Sequence, residues 1–121
     1  MFRSHSLTTN AFVDNVPASD QGGADEAAGL CAGGHDLRDP LTSPILGDFT
    51  RFPPTVLTSG TRELFLSHTL RARRKLRQAV VEAALHVFEG QSHAQYLDPF
   101  MSETERAFGE IARLFNQHLL T

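Results

Sequence analysis

A glutamate and a histidine stand in two loops that each follow a short apolar run of the chain. Glu63 lies in SGTREL, and His93 lies in EGQSHAQY. A carboxylate that accepts the Nδ1–H of an imidazole fixes the tautomer of that ring, and it stabilises the imidazolium formed when Nε2 takes a proton from a nucleophile. The two residue types are therefore suited to be the acid and the base of nucleophilic catalysis, provided that the fold brings the two loops together.

The elements around these loops predict that they meet. Residues 55–58 and 84–88 are typical of strands, and the first can begin only after Pro53-Pro54 because proline has no N–H to donate. Between them, residues 67–80 predict a helix with one apolar stripe and Ser67 as its N-cap. Strand, helix and strand in succession predict two parallel strands. The carboxyl ends of such strands share one edge of the sheet, which is where open α/β sheets bind ligands.

The remaining segments complete a predicted α/β fold class. Residues 1–48 are loop-rich, with a short helix expected over 24–31, and residues 49–121 form the βαβα part of one incomplete domain. Over 102–119, Ser102 and Glu105 have the spacing of a capping box at the start of an amphipathic helix. The apolar residues expected to pack this helix on the sheet are Phe108, Ile111, Ala112, Phe115 and Leu119.

The composition of the 121 residues is that of one small domain, with a net charge of −3 and a pI near 6.0. This balance gives no general argument for binding nucleic acid or an anionic membrane. The single cysteine, Cys31, excludes an internal disulfide and favours a reducing, cytoplasmic setting. No apolar stretch is long enough to predict a membrane span, and the first ten residues lack the apolar region of a signal peptide.

One run of basic residues, RARRKLR at 71–77, allows two interpretations. It is typical of the solvated face of an amphipathic helix, because arginine and lysine are good helix formers. It could also bind nucleic acid, although no aromatic residue is interleaved with it. We favour the first and expect no nucleic-acid partner.

The other histidines and the serines give weaker signals. His86 alternates with apolar residues in a strand and is expected to be structural. No metal site is predicted, because four further histidines lack ligand-like spacing to a cysteine or a carboxylate cluster. These are His5, His35, His68 and His118. None of the serines at positions 4, 6, 43, 59 and 92 is placed on a strand-to-helix elbow.

Several stretches, in order, resemble the carboxyl-terminal part of the hormone-sensitive-lipase-like esterases, the alpha/beta hydrolase fold-3 group. SHSLTTNAFVDNV resembles the segment downstream of the nucleophile helix. AGGHDLRDPLTSPILGDFTRFPPTVLTSGTRELFL resembles the family's Asp-Pro-x-x-Ser-Pro stretch, its strand led by two prolines and its acid loop. HVFEGQSHAQY resembles one of the family's strands, its Gly-x-x-His loop and the helix that follows.

The resemblance implies a carboxylic-ester hydrolase that needs no cofactor. Glu63, three residues after Gly60, stands where the family has its catalytic acid, and His93, three residues after Gly90, stands where it has its base. Acid before histidine is the order of this fold after its serine. The family's Gly-x-Ser-x-Gly and His-Gly-Gly motifs do not occur in the 121 residues, so both are expected upstream of Met1 and the chain alone is expected to be inactive.

Two departures from the family and one alternative function remain. Val80 stands where a helix-ending glycine is usual, which predicts a strained turn. Cys31 stands where an aromatic residue is more typical. The alternative is a non-catalytic remnant or a partner-binding fragment that self-associates through exposed strand edges.

Overall fold

The computed structural model describes residues 24–119. Within this range the chain forms three helices and two strands, joined by loops and turns. In chain order these elements are α1 (Ala24–Ala32), β1 (Thr55–Gly60), α2 (Leu66–Gln78), β2 (Ala83–Phe88) and α3 (Ser102–Leu119). Short 3₁₀ turns occur at Pro44–Leu46 and Gln95–Leu97. The segment SHSLTTNAFVDNV and His5 lie outside the described residues, and the predicted division at residue 48 stays a prediction.

The two strands pair in parallel, as predicted. The register runs from Thr55 opposite Ala83 to Gly60 opposite Phe88. Strand β1 starts directly after Pro53-Pro54, where the ladder first needs N–H donors. Helix α2 connects the strands, so the α/β fold class with a crossover helix is confirmed.

Helix α2 begins and ends differently from an ideally capped helix. The predicted cap at Ser67 is wrong, because the N-cap is Phe65, which makes no side-chain capping bond, and Ser67 lies in the first turn. At the other end Val80 has φ 60° and is 93% exposed. The N–H of Val81 donates to Leu76 and that of Val80 to Arg77, which is a Schellman motif without its usual glycine. The predicted strain is thus present.

The apolar core is small. Its buried hydrophobic members are Ala32, Phe49, Leu64, Leu76, Ala107 and Leu114. In β1 the first four residues are half-buried, and only Ser59 and Gly60 are buried. Two strands offer little surface to cover, which is why such a sheet buries few side chains.

Helix α3 does not bury the face that the sequence predicted. Ala107 and Leu114 are its buried residues, whereas Phe108 and Phe115 are about half exposed. Leu119 is 69% exposed and Ala112 is also exposed, with Ile111 half-buried. The two-stranded sheet is narrow, so it covers the part of the helix surface that carries Ala107 and Leu114 and leaves most of the predicted apolar stripe uncovered. The predicted capping box is not formed as expected, because the helix begins at Ser102 itself and this serine lies in the first turn, where its hydroxyl donates to Glu103.

Two members of the basic run have structural contacts. Lys75 Nζ donates to the Ile45 carbonyl at 2.6 Å and lies 5.0 Å from the centre of the Phe49 ring. Arg73 Nε donates to the Ala83 carbonyl at 3.3 Å. These bonds tie α2 to the preceding loop and to β2, in line with the structural interpretation. Within residues 24–119, no helix is long and apolar enough to cross a membrane.

Candidate active site

The two residues singled out by the sequence, Glu63 and His93, are in contact. His93 Nδ1 lies 2.9 Å from Glu63 Oε1, across 30 residues of chain. The Glu63 side chain is 10% exposed and that of His93 is 40% exposed. A carboxylate oxygen is a hydrogen-bond acceptor, so this contact favours the tautomer that carries its proton on Nδ1. The other ring nitrogen, Nε2, is then the one that can accept a proton.

A close approach of two backbones brings the loops together at Gly60. A Cβ atom at this position would lie 1.9 Å from the Gln91 carbonyl oxygen, so no residue larger than glycine fits. The same Gln91 carbonyl oxygen accepts a hydrogen bond of 3.0 Å from the N–H of Arg62, in the turn that follows β1. The last residue of β1 is therefore a glycine because the histidine loop passes directly over it.

Hydrogen bonds between the two loops hold this approach. The Thr61 N–H donates to the Phe88 carbonyl at 3.0 Å, and the Thr61 hydroxyl accepts the Gly90 N–H at 2.8 Å. That hydroxyl donates to Glu89 Oε1 at 3.2 Å. Gly90 has φ 73°, which glycine adopts readily.

The histidine loop is shaped by a second residue with positive φ. Ala94 has φ 53°, a conformation that costs an L residue about 1 kcal/mol or more. Before it, Gln91 and Ser92 are buried at 3% and 2% exposure. The Ser92 N–H donates to Gln95 Oε1 at 2.9 Å. These contacts hold the backbone on both sides of His93.

The Glu63 carboxylate has donors that the sequence analysis missed. Its Oε2 accepts a short hydrogen bond from the Ser59 hydroxyl and a bond of 3.2 Å from the Gly60 N–H. Ser59 is 3% exposed. Its position at the end of a strand, four residues before a candidate acid, is the signal that could have identified it.

One ring packs beside His93. The Phe65 ring meets the imidazole edge-on, with centroids 5.3 Å apart and planes at 73°. The same ring approaches the buried His68 at 5.9 Å. Phe65 also lines an apolar cavity of about 400 Å³ next to α1. The other lining residues are Ala27, Ala28, Cys31, Ala32, Leu41 and Thr42.

Two other histidines, His86 and His118, contact carboxylates other than Glu63. His86 Nε2 lies 3.6 Å from Glu110 Oε2, and His118 Nε2 lies 3.7 Å from Glu82 Oε2. The first contact joins β2 to α3, and the second joins the residue just before β2 to α3. The contact of His86 agrees with its interpretation as a structural residue. The part of the chain from 24 to 119 contains no cluster of three or more metal-ligating side chains.

Two carboxyl groups outside the site have lowered pKa values. Hydrogen bonds from the Thr50 backbone and side chain lower the pKa of Asp48. The hydrogen bond from Arg113 is the largest cause that lowers the pKa of Glu110, and the nearby Arg113 and His86 charges act in the same direction. Both groups are on the surface, so they report local hydrogen bonding and not catalytic tuning.

Comparisons with known proteins agree with this geometry. The model of a family described as alpha/beta hydrolase fold matches residues 3–97. An esterase crystal structure superposes with a TM-score of 0.88 at 44% identity, over 93% of this chain and 35% of that one. A second, of an esterase from the bacterial hormone-sensitive lipase family, gives 0.86 at 26% identity, over 96% and 39%.

A curated relative from Acinetobacter venetianus, named esterase, is 31% identical over 75 residues, which are 61% of this chain and 25% of the relative. The chain thus spans a quarter to two fifths of the proteins it matches. The fold is that of an α/β hydrolase, and the matched relatives are named esterases. The chain belongs to the alpha/beta hydrolase fold family, which confirms the resemblance drawn from its motifs.

Proposed function

We propose that this chain supplies the general base and its acid partner, His93 and Glu63, to a carboxylic-ester hydrolase with a Ser-His-acid mechanism. The observation that carries the proposal is the contact of 2.9 Å between His93 Nδ1 and Glu63 Oε1. It lies at the carboxyl edge of two parallel strands, where ligands of such sheets bind. The esterase relatives give the reaction class.

In the proposed reaction, a serine hydroxyl attacks the ester carbonyl and gives its proton to His93 Nε2. Glu63 stabilises the imidazolium without taking its proton. The imidazolium then protonates the departing alkoxide, and an acyl-serine remains. A water molecule activated by His93 releases the carboxylic acid. Because Gly-x-Ser-x-Gly is absent from the sequence, the nucleophile in this mechanism is a serine outside these 121 residues.

The proposed substrate is a small ester with an apolar part. The cavity beside α1 is lined mainly by alanine, leucine and phenylalanine side chains, and Phe65 contacts both it and His93. Its volume of about 400 Å³ is near the lower end for ligand pockets. The predicted cytoplasmic setting and the absence of a cofactor stay predictions.

A chimera tests the proposal. The chain replaces the structurally equivalent third of the 44%-identical esterase, and hydrolysis of a short-chain aryl ester is measured. His93→Ala should lower kcat by about a thousandfold or more, because base and serine act as a unit. His35→Ala, which removes an exposed histidine, is the matched control and should leave kcat unchanged.

Two results would contradict the proposal. If the His93→Ala chimera turned over the ester at the wild-type rate, His93 would not be the general base. Hydrolysis by the isolated 121-residue chain that disappears on His93→Ala would place the nucleophile inside the chain after all.

The second candidate, a partner-binding fragment, is favoured by the exposed apolar face of α3. Phe108, Phe115 and Leu119 are 49–69% exposed, and Phe100 just before the helix is 95% exposed. Such a patch is typical of a contact surface. Sizing of the chain over a range of concentrations tests this candidate: a concentration-dependent mass that falls to the monomer on Phe108→Ser and Phe115→Ser would support it, and a monomer throughout would not support self-association.

A further inference from the structure

We infer that Ser59 is a positioning residue for the acid–base pair, acting through the carboxylate of Glu63. Its hydroxyl holds Glu63 Oε2 so that Oε1 points at His93. This inference rests on the proposed function, and it concerns a serine whose hydroxyl binds the carboxylate of Glu63. The sequence pattern did not distinguish Ser59 from the chain's other serines.

The first support is the division of the two carboxylate oxygens between their neighbours. Oε2 accepts from the Ser59 hydroxyl and from the Gly60 N–H, whereas Oε1 faces His93 Nδ1 at 2.9 Å. With Oε2 held by donors on one side, rotation of the carboxylate is restrained, and Oε1 stays on the histidine side. Of the two donors on β1, only the Ser59 hydroxyl can be removed by substitution.

The second support is the place of Ser59 in the fold. It is paired opposite Val87 within the ladder of β1 and β2, and its side chain is almost completely buried. A donor on a paired strand is more rigid than one on a loop. Glu63 itself lies in the turn after that strand, so Ser59 connects the acid to the better ordered element.

The third support is the chemistry of the acid itself. Glutamate has one more side-chain dihedral angle than aspartate, and its last dihedral has a broad distribution. Without the Ser59 hydroxyl, Oε2 would keep the bond of 3.2 Å from the Gly60 N–H, and other orientations of the Glu63 carboxylate would compete more with the one that meets His93. A charge-assisted hydrogen bond from a buried hydroxyl favours one of them.

Nitrogen-15 NMR of the His93 imidazole in the 121-residue chain tests the inference. The wild type should show Nδ1–H as the dominant tautomer, with slow exchange of that proton. Ser59→Ala should shift the ring towards a mixture of tautomers and speed exchange of the Nδ1 proton by about tenfold, the size expected for losing a hydrogen bond to a charged group. Ser59→Thr keeps the hydroxyl and should restore the wild-type signals.

A matched control separates positioning from folding. Ser43 is as deeply buried as Ser59, but its hydroxyl donates to the Leu37 carbonyl at 2.5 Å. Ser43→Ala should lower stability and leave the His93 signals unchanged. In a Glu63→Gln background, Ser59→Ala should have no additional effect on His93, because the contact that it protects has already been altered.

Several outcomes would overturn the inference. These are unchanged His93 signals in Ser59→Ala, an equal change in Ser43→Ala, or failure of Ser59→Thr to restore the signals in a folded protein. If Ser59→Ala does not fold, Ser59→Cys, which fills the site with a slightly larger side chain and only a weak donor, must show the altered tautomer ratio. In the esterase chimera, Ser59→Ala should lower kcat with little change in KM. If His93→Ala leaves the chimera fully active while the NMR result holds, the proposed function fails and the positioning role of Ser59 remains.

Discussion

The carboxyl edge of the sheet and helix α3 are organised in opposite ways. At the edge, polar residues are buried and hydrogen-bonded: as whole residues, Ser59 and Glu63 are 3% and 8% exposed, and they bind each other. On α3, large apolar side chains such as Phe108 and Phe115 remain about half exposed. The polar residues at the sheet edge are thus buried and paired to a greater extent than the apolar residues on this face of α3.

The difference follows from the range of the two kinds of interaction. Hydrogen bonds are directional and need only a partner at about 3 Å, so two strand ends and two turns suffice to build the pair. Apolar burial scales with the area of the surface that is covered, and two strands supply little of it. The matched esterase structure is almost three times as long as this chain, so a fold of that size has more surface available to cover such a helix.

The largest expected effect comes from breaking the close approach at the site. Gly60→Ala places a Cβ where the Gln91 carbonyl oxygen lies, so the backbones must separate. We expect a loss of about 4 kcal/mol in the free energy of unfolding, measured in urea, with loss of the contact between Glu63 and His93. Gly109→Ala on α3 is the control, because its Cβ would enter open space; it should stabilise by about 1 kcal/mol. Equal effects of the two changes would refute the close approach.

The next effect distinguishes the two faces of α3. Leu114→Ala should cost about 2 kcal/mol in the free energy of unfolding, because this side chain is 9% exposed. Phe115→Ala should cost less than about 1 kcal/mol, although it removes a larger side chain, because Phe115 is 51% exposed. Thermal unfolding of both variants checks the order. A larger loss of stability for Phe115→Ala than for Leu114→Ala would show that α3 buries the face predicted from the sequence.

A smaller effect should come from the turn between α2 and β2. Val80→Gly removes a β-branched residue from positive φ at a position that is 93% exposed, so little packing is lost. We expect a stabilisation of about 1 kcal/mol. Val81→Gly is the matched control and should destabilise, because Val81 is half-buried and does not have positive φ. If Val80→Gly lowered the free energy of unfolding, the backbone at Val80 would not be strained.

The smallest effect concerns an exposed pair on α3. The hydrogen bond from Arg113 lowers the pKa of Glu110 from its ordinary value of 4.5 in the folded protein. Its contribution to stability is therefore present above that value and is lost as the pH falls through the lowered folded pKa. Arg113→Met should lower the unfolding midpoint slightly at neutral pH, and the difference from wild type should vanish in strong acid.

Arg106→Met, on the same helix, is the control for this measurement, because Arg106 is exposed and the contacts between residues 24 and 119 include no ion pair for it. It should show no such dependence on pH. A difference between Arg113→Met and wild type that grows as the pH falls would contradict the assigned sign.

Local patterns predicted those features that depend on neighbouring residues. The start of β1 after Pro53-Pro54 and the strained Val80 were both predicted correctly. The cap at Ser67 and the buried face of α3 were predicted wrongly. Ala107 and Leu114 are seven residues apart, as are Phe108 and Phe115. Helical spacing therefore allows either pair to be buried, and only the sheet beneath selects one.

The sequence by itself determined two parallel strands joined by a helix, with an acid and a histidine in the loops that follow them. These features depend on side-chain periodicity, on proline's missing N–H and on glycine at turns, all of which act locally. The tertiary structure alone decided that Glu63 Oε1 meets His93 Nδ1, that Ser59 holds the other oxygen, and that Gly60 lies under Gln91. Except for the bond from Ser59, these contacts join residues about 30 positions apart. Their distances are set by how two backbones cross, and no local pattern encodes that.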